Sequence, residues 1–577
     1  MTRPSRPITM AAGERHMKLT AALAALLLTV AAPAAAQDMI LYRGGPIVTM
    51  DGDTPQTVEA VVTRGDRIAF AGSEKEARRA AGKGATVRDL AGATMLPGFI
   101  DAHSHFTVAT MSEGGLDLRD GAHAAVTDIA GLQRAIADHI ATKAIPPGGW
   151  VVVWQYDQEN LAEKRHITRT ELDAVAADRP IVVLHVSLHG LVANSAALTA
   201  AKLTDASQPP PGGMLLRDAA GRLNGVLLEK ATFLMLAAMP QPTADQKLAA
   251  LDAAQNAYFA EGYTHAQDGA TLPPDIAFLT GDAARERLKI DLALLPFSTG
   301  LDALLANPDL RFGEYRGHVK LQGIKFVLDG SVQARTGYFT RDYRRGSPEG
   351  HHPWHGEPVL SEAAFIAQAR KVHERGWQLF VHANGDAAID MAIRGFDALG
   401  IKAADNRRPI VIHSQFQRPD QLQAYRRIGV GPSYFSNHTW YWGDVHRTNF
   451  PAEVVAFISP LRSARAAGLT PSNHSDYSVT PLDTRFMLWT AMARVSPTSV
   501  VSGPAERLNA YEALQALTTG PAWQVFEEDR KGRIKPGLLA DFVILDKNPL
   551  TTPVDAIKAI KVRETIKEGR SVWRATP

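Results

Sequence analysis

Short apolar runs that end on a metal-capable side chain recur through the middle of the chain. The first is Leu96-Pro-Gly-Phe-Ile-Asp-Ala-His-Ser-His-Phe106. On a strand, residues two apart face the same way, so Asp101, His103 and His105 project to one side, where two imidazoles can share one cation. Val319 to Asp329, Trp377 to His382 and Arg408 to His413 each carry a Lys or a His toward the end of the run. Thr264 to Asp268 and Asp291 to Pro296 also read as strands, and Glu362 to Arg375 and Ala387 to Leu399 as helices. Strand-like runs alternating with helical ones predict a parallel sheet with crossover helices. Ligands gathered from several parallel strand ends predict an α/β fold of the (β/α)8 TIM type, with the site at the C-terminal face of the barrel.

The two flanks have a different texture. Ile40-Leu41-Tyr42, Pro46 to Met50, Ala60 to Thr63 and Arg67 to Ala71 are short β segments punctuated by Gly and Asp turns, and the same pattern returns in Lys535 to Asp546 and Ala559 to Trp573. Neither flank suffices for a core of its own, so a single small β-sandwich built from both termini is predicted, from 37–95 and 521–577, around a barrel at 96–520. The stretch at about 107–260 exceeds what a minimal barrel needs. With strands of its own at Trp150 to Tyr156 and Ile181 to His189, it reads as an insertion after the first barrel strand that roofs the site.

Composition changes this picture little. An apolar fraction of 45% and a formal net charge of +2 over 577 residues describe ordinary globular material and point to neither nucleic acid nor an acidic membrane. The N-terminus changes it more. Arg15 and Lys18 precede the apolar run Leu19 to Ala32, and Ala34-Ala35-Ala36 precede Gln37, which reads as a signal peptide over 1–36, with translation starting at Met1 or at Met17. The run is shorter than the ~20 residues a spanning helix needs. An exported protein without a stable membrane anchor, periplasmic or secreted, is therefore expected. The chain has no cysteine, so a metal would have to use His, carboxylates or a modified Lys.

The order of several motifs resembles the amidohydrolase superfamily. These are Pro97 to His105, Lys325 before Asp329-Gly-Ser331, His382-Ala-Asn-Gly-Asp386, His413-Ser-Gln415, Ser475-Asp-Tyr-Ser-Val-Thr-Pro481 and Pro536-Gly-Leu-Leu-Ala-Asp541. Within it, the chain is similar to the branch related to N-substituted formamide deformylases. The resemblance implies a barrel whose first strand supplies His103 and His105, whose fourth supplies a carboxylated Lys325, whose fifth and sixth supply His382 and His413, and whose eighth supplies Asp476 as ligand and catalytic base. One departure is that the branch commonly has a Gly before the last Ser-Asp, where this chain has His474.

Further candidates follow. Asp101 is placed as an acceptor that orients a ligand His. His189, Asn194 and Glu229, in the insertion, match positions that look characteristic of the branch and are candidates to reach substrate or metal. His438 lies in the aromatic stretch Ser436-Asn-His-Thr-Trp-Tyr-Trp442, which suits an apolar substrate group. The expected activity is hydrolysis of a non-peptide amide or N-acyl bond of a small molecule, with one or two divalent ions, zinc first, activating the attacking water. An esterase, lactonase or phosphotriesterase on the same scaffold is the rival enzyme, and a non-catalytic periplasmic binding protein the rival from another class. Homo-oligomerisation and substrate identity stay open.

Overall fold

The computed structural model describes residues 39–111, 115–118 and 126–576. The signal-peptide reading of 1–36 lies outside the described residues. Among them, no helix is long and apolar enough to cross a membrane.

Eight barrel strands position the site. They are β1 (Phe99–Ile100), β2 (Tyr263–Thr271), β3 (Asp291–Pro296), β4 (Gly323–Val327), β5 (Gln378–Ala383), β6 (Ile410–His413), β7 (Gly431–Tyr434) and β8 (Ser472–Asn473). β1 to β3 pair in parallel, and the short strand Val319–Leu321 pairs with β3 before leading into β4. β4 to β8 form a second parallel run. The runs meet through a bridge between Phe297 and Lys325. On the other side Asp476 N donates to His103 O at 3.1 Å.

Both faces of these strands are covered, which is why they read as near-continuous apolar runs. Ile324, Phe326 and Leu328 pack outward with Phe365, Ala369 and Val372 of the helix Glu362–Glu374. Alternation then turns Lys325 and Val327 inward. Leu295, Phe380, Ile410 and Ile412 fill the barrel interior together with Val525. His382, two residues beyond Phe380, therefore points inward as well. Strict alternation would send His413 outward with Val411. The strand ends there in left-handed backbone, φ 71° at His413 and 42° at Ser414, and the His413 ring stands 4.6 Å from that of His382.

Strands from both ends of the chain share one eight-stranded sheet. Its halves join where Thr94–Pro97 runs antiparallel to Phe542–Leu545, pairing Pro97 with Phe542. A separate six-stranded sheet lies wholly between Leu116 and Glu229, and its strand Leu223–Glu229 ends on Glu229.

At the N-terminal end of β2 and β3, a buried charge cluster ties the C-terminal segment to the barrel. Lys531 pairs with Asp291 and, at 2.9 Å, with Glu527. Lys567 lies 3.1 Å from both Asp291 and Asp541, and Lys320 pairs with Glu527. Burial alone would raise the Asp291 carboxyl, but Lys531 and Lys567 hold it well below the usual carboxylate range. A depressed carboxylate contributes stability that is present above its unfolded pKa and lost as pH falls through the folded one. This contribution is thus complete at neutral pH and disappears only in strong acid. Removing one partner of such a network leaves an uncompensated buried charge. Asp291→Asn is expected to cost about 3–5 kcal/mol in denaturant unfolding while leaving the residues at the opposite barrel end in place. A variant as stable as the parent would show that the cluster carries no net stabilisation.

Candidate metal centre

The C-terminal ends of β1, β4, β5, β6 and β8 bring six polar side chains to one place. His103, His413 and Asp476 can each offer a ligand atom such that all three atoms lie within 4.8 Å of one another. Lys325 Nζ stands 3.2 Å from His103 Nε2. Asp476 Oδ1 lies 3.4 Å from His105 Nε2 and 3.5 Å from His103 Nε2. His382 joins this group through its ring contact with His413 but belongs to no ligand-atom triad among the described residues.

The electrostatics suit a cation. Burial first, then the neighbouring Lys325 and imidazoles, push His103, His382 and His413 well below the ordinary histidine range. All three are neutral at pH 7, the form in which imidazole ligates a metal. Burial alone would raise the Asp476 carboxyl, yet His105, His474 and Lys325 outweigh it and hold the group ionised. Burial lowers the Lys325 amine to about 7, against the pull of Asp476. Asp476 Oδ1 and His103 Nδ1 are buried with no hydrogen-bond partner. Neutral imidazoles around an ionised, under-satisfied carboxylate are a donor set that fits a divalent ion.

Local backbone makes this crowding feasible. Gly269 follows Asp268 on β2, and a Cβ there would lie 2.1 Å from His103 Cε1. Only glycine leaves room for the ring. Asp101, fully buried, accepts from Ser475 N at 3.1 Å and Ser475 Oγ at 2.5 Å. It therefore orients the turn that carries Asp476, whereas the sequence reading assigned it to a ligand His.

The insertion contributes two of its three candidates. His189 Nδ1 and Glu229 Oε2 are 2.7 Å apart, and the His189 ring stands 5.0 Å from that of His382. Burial would lower His189, but Glu229 prevails and raises it, so the pair presents an N–H-rich ring beside His382. Glu229 approaches so closely that a Cβ at Gly330 would lie 2.0 Å from its Oε1. Asn194 is not part of the site. Its Oδ1 accepts from Ile181 N and Ala197 N, and its Nδ2 donates to Ala176 O and Arg179 O, which makes it the N-cap of helix Ser195–Ala200. All its hydrogen-bonding capacity is spent on local backbone.

His438 sits one layer further out. Its Nδ1 lies 3.0 Å from His446 Nε2, and it packs between Phe435 and Trp442. Two residues go unassigned in the sequence reading. His446 pairs with His438 from eight residues away, across a break between two short helices that no periodicity signals. His474, noted there only as a departure, is fully buried and stacks on Phe435, with its Nε2 3.2 Å from His413 Nδ1.

The fold is shared with uncharacterized metal-dependent hydrolases of Pyrococcus furiosus and Pyrococcus horikoshii OT3. Their TM-scores are 0.69 and 0.70 at 23% and 21% identity, covering 89% and 90% of this chain and 100% and 99% of theirs. The N-substituted formamide deformylase of Arthrobacter pascens is 28% identical over 527 residues, which are 89% of this chain and 94% of that relative. Residues 86–573 match the amidohydrolase family as a whole, from the terminal sheet through every strand end described above. The chain therefore belongs to the amidohydrolase family, hydrolases that act on carbon–nitrogen bonds other than peptide bonds.

Proposed function

We propose that this protein hydrolyses an amide or N-acyl bond of a small molecule with water activated at a zinc centre held by His103, His105, Lys325, His382, His413 and Asp476. The observation that carries the reading is the convergence of ligand atoms from His103, His413 and Asp476 within 4.8 Å, beside a buried Lys325. Imidazole and carboxylate donors without cysteine suit zinc in a hydrolytic site. When bound, such an ion lowers the pKa of water to about 7 and polarises the scissile carbonyl.

The chain's own groups then manage the proton. Asp476 accepts it as the water oxygen attacks the carbonyl carbon, and returns it to nitrogen as the carbon–nitrogen bond breaks. The products are a carboxylic acid and an amine. Lys325, whose amine burial lowers to about 7, has a neutral fraction able to add through Nζ to carbon dioxide with loss of a proton. The resulting carbamate would be an anionic ligand where an ammonium would repel a cation. The resemblance to a formamide deformylase supports an acyl–nitrogen substrate over an ester.

Three measurements test this reading. His103→Ala combined with His105→Ala is expected to lose bound metal and nearly all amide turnover while staying folded, because the packed interior of Leu295, Phe380, Ile410 and Ile412 is untouched. Metal content equal to the parent's would refute the centre. Supplying 13C-labelled bicarbonate should place a carbamate signal on Lys325, absent from Lys325→Ala, and an active, metal-loaded enzyme with an unmodified lysine overturns that assignment. Asp476→Asn should lower kcat by ~10²–10⁴ and flatten the acidic limb of the pH profile. The sign follows from the depressed carboxyl: the base works above its pKa and fails as pH falls through it. An unchanged kcat and acidic limb would remove Asp476 from the proton path, and ester turnover without amine release from any amide would favour the esterase reading.

A further inference from the structure

Behind His413 runs a buried chain of hydrogen bonds. It begins at Gln524, whose Nε2 donates to Pro432 O at 2.9 Å and Thr470 O at 3.4 Å. Its Oε1 can only accept, and Ser472 Oγ lies 2.8 Å from it. Ser472 Oγ also donates toward Ser433 Oγ at 3.0 Å, so its one proton is shared between two acceptors. His474 Nδ1 lies 2.9 Å from Ser433 Oγ, an oxygen able to accept a proton from it. A neutral His474 protonated at Nδ1 has a bare Nε2, which faces His413 Nδ1 at 3.2 Å. With His474 in that tautomer, His413 donates there from Nδ1 and keeps its lone pair on Nε2.

All five side chains are buried, at 4% exposure or less, so bulk water does not compete for any link. The pairing of β7 with β8, which places Ser433 opposite Ser472, holds the middle of the chain in register. His474 is itself clamped flat on Phe435, ring centroids 5.1 Å apart and 29° between planes.

We infer that His474 is a positioning residue that accepts the Nδ1 proton of His413 and so presents His413 to the metal as an Nε2 ligand. The inference rests on the metal reading above but concerns affinity, so it is separable from turnover. A ligand imidazole whose other nitrogen has lost its partner typically binds metal 10- to 100-fold more weakly. Without His474 the His413 ring is free to take the opposite tautomer, with its proton on the nitrogen that should bind.

The test is zinc affinity of the metal-free full chain, measured by competition with a chromophoric chelator, alongside its thermal midpoint. His474→Phe retains the stacking on Phe435 and removes the acceptor; its zinc dissociation constant is expected to rise about 10- to 100-fold. His474→Gln places a carbonyl oxygen where Nε2 stood and should recover most of that loss. Ser433→Ala, which frees His474 to reverse its tautomer, should weaken zinc binding measurably with little change in fold. A purely structural role would lower the thermal midpoint of the metal-free variants with zinc affinity unmoved. Parental affinity in His474→Phe overturns the inference, as does a His474→Gln variant no better than His474→Phe. If His474→Phe does not fold, unchanged affinity in Ser433→Ala overturns it instead. A parent chain that binds no zinc would refute the metal reading itself, which is a different result.

Discussion

The seam where the barrel closes is the constraint on which the site depends. β1 and β8 are two-residue strands, too short to hold each other by a ladder of their own. The Asp101 carboxylate takes over that task by accepting both the backbone and the hydroxyl of Ser475. Asp476 N then reaches His103 O, and His105 N reaches Tyr477 O at 2.5 Å. The same few bonds that close the barrel bring a carboxylate from the last strand against two imidazoles from the first. Burial pushes the Asp101 carboxyl up to about 7 in spite of the Ser475 bonds. An acid held at such a desolvation cost is explained by what it positions.

The two ends of the barrel use buried charge in opposite ways. At the N-terminal end, acids and lysines are matched: Asp291, Glu527 and Asp541 face Lys320, Lys531 and Lys567. At the C-terminal end, the neutral imidazoles of His103, His382 and His413 and an ionised Asp476 lie beside Lys325, whose own charge burial suppresses. Matched charge satisfies itself and leaves nothing for a ligand, although His265, Asp291 and Glu527 are close enough together to resemble a metal site. Under-matched donors are what a cation can complete. The same contrast separates a fastening from a reaction centre on a barrel.

The insertion acts as part of this centre. Its sheet ends on Glu229, which holds His189 against His382 and leans on Gly330 beyond the end of the fourth strand. The aromatic layer after β7 is anchored to it too, since Trp442 Nε1 donates to Asp157 Oδ2 at 2.8 Å. One wall of the mouth is therefore built by residues distant in sequence from those they touch, 285 positions in the case of Asp157 and Trp442.

By itself, the sequence determined the alternation of strands and helices and the strand-end residues His103, His105, Lys325, His382 and His413. A strand's apolar run and the polar residue that closes it are contiguous, so periodicity and local chemistry suffice to read them. Asp476 was legible only through motif order, because β8 is two residues long and carries no periodic signal. Tertiary structure alone decided the partners. Asp101 serves Ser475 across 374 positions, and His474 serves His413 across 61, distances over which no local pattern constrains a hydrogen bond. It also settled Asn194, whose side chain looks the same in sequence whether it meets a substrate or caps a helix. It decided the inward turn of His413 as well, since alternation predicts the wrong face and only the left-handed backbone at the strand end corrects it. Residue type and spacing announce which groups can bind a metal; which of them are left unpaired, and so able to, depends on contacts that form only when the barrel closes.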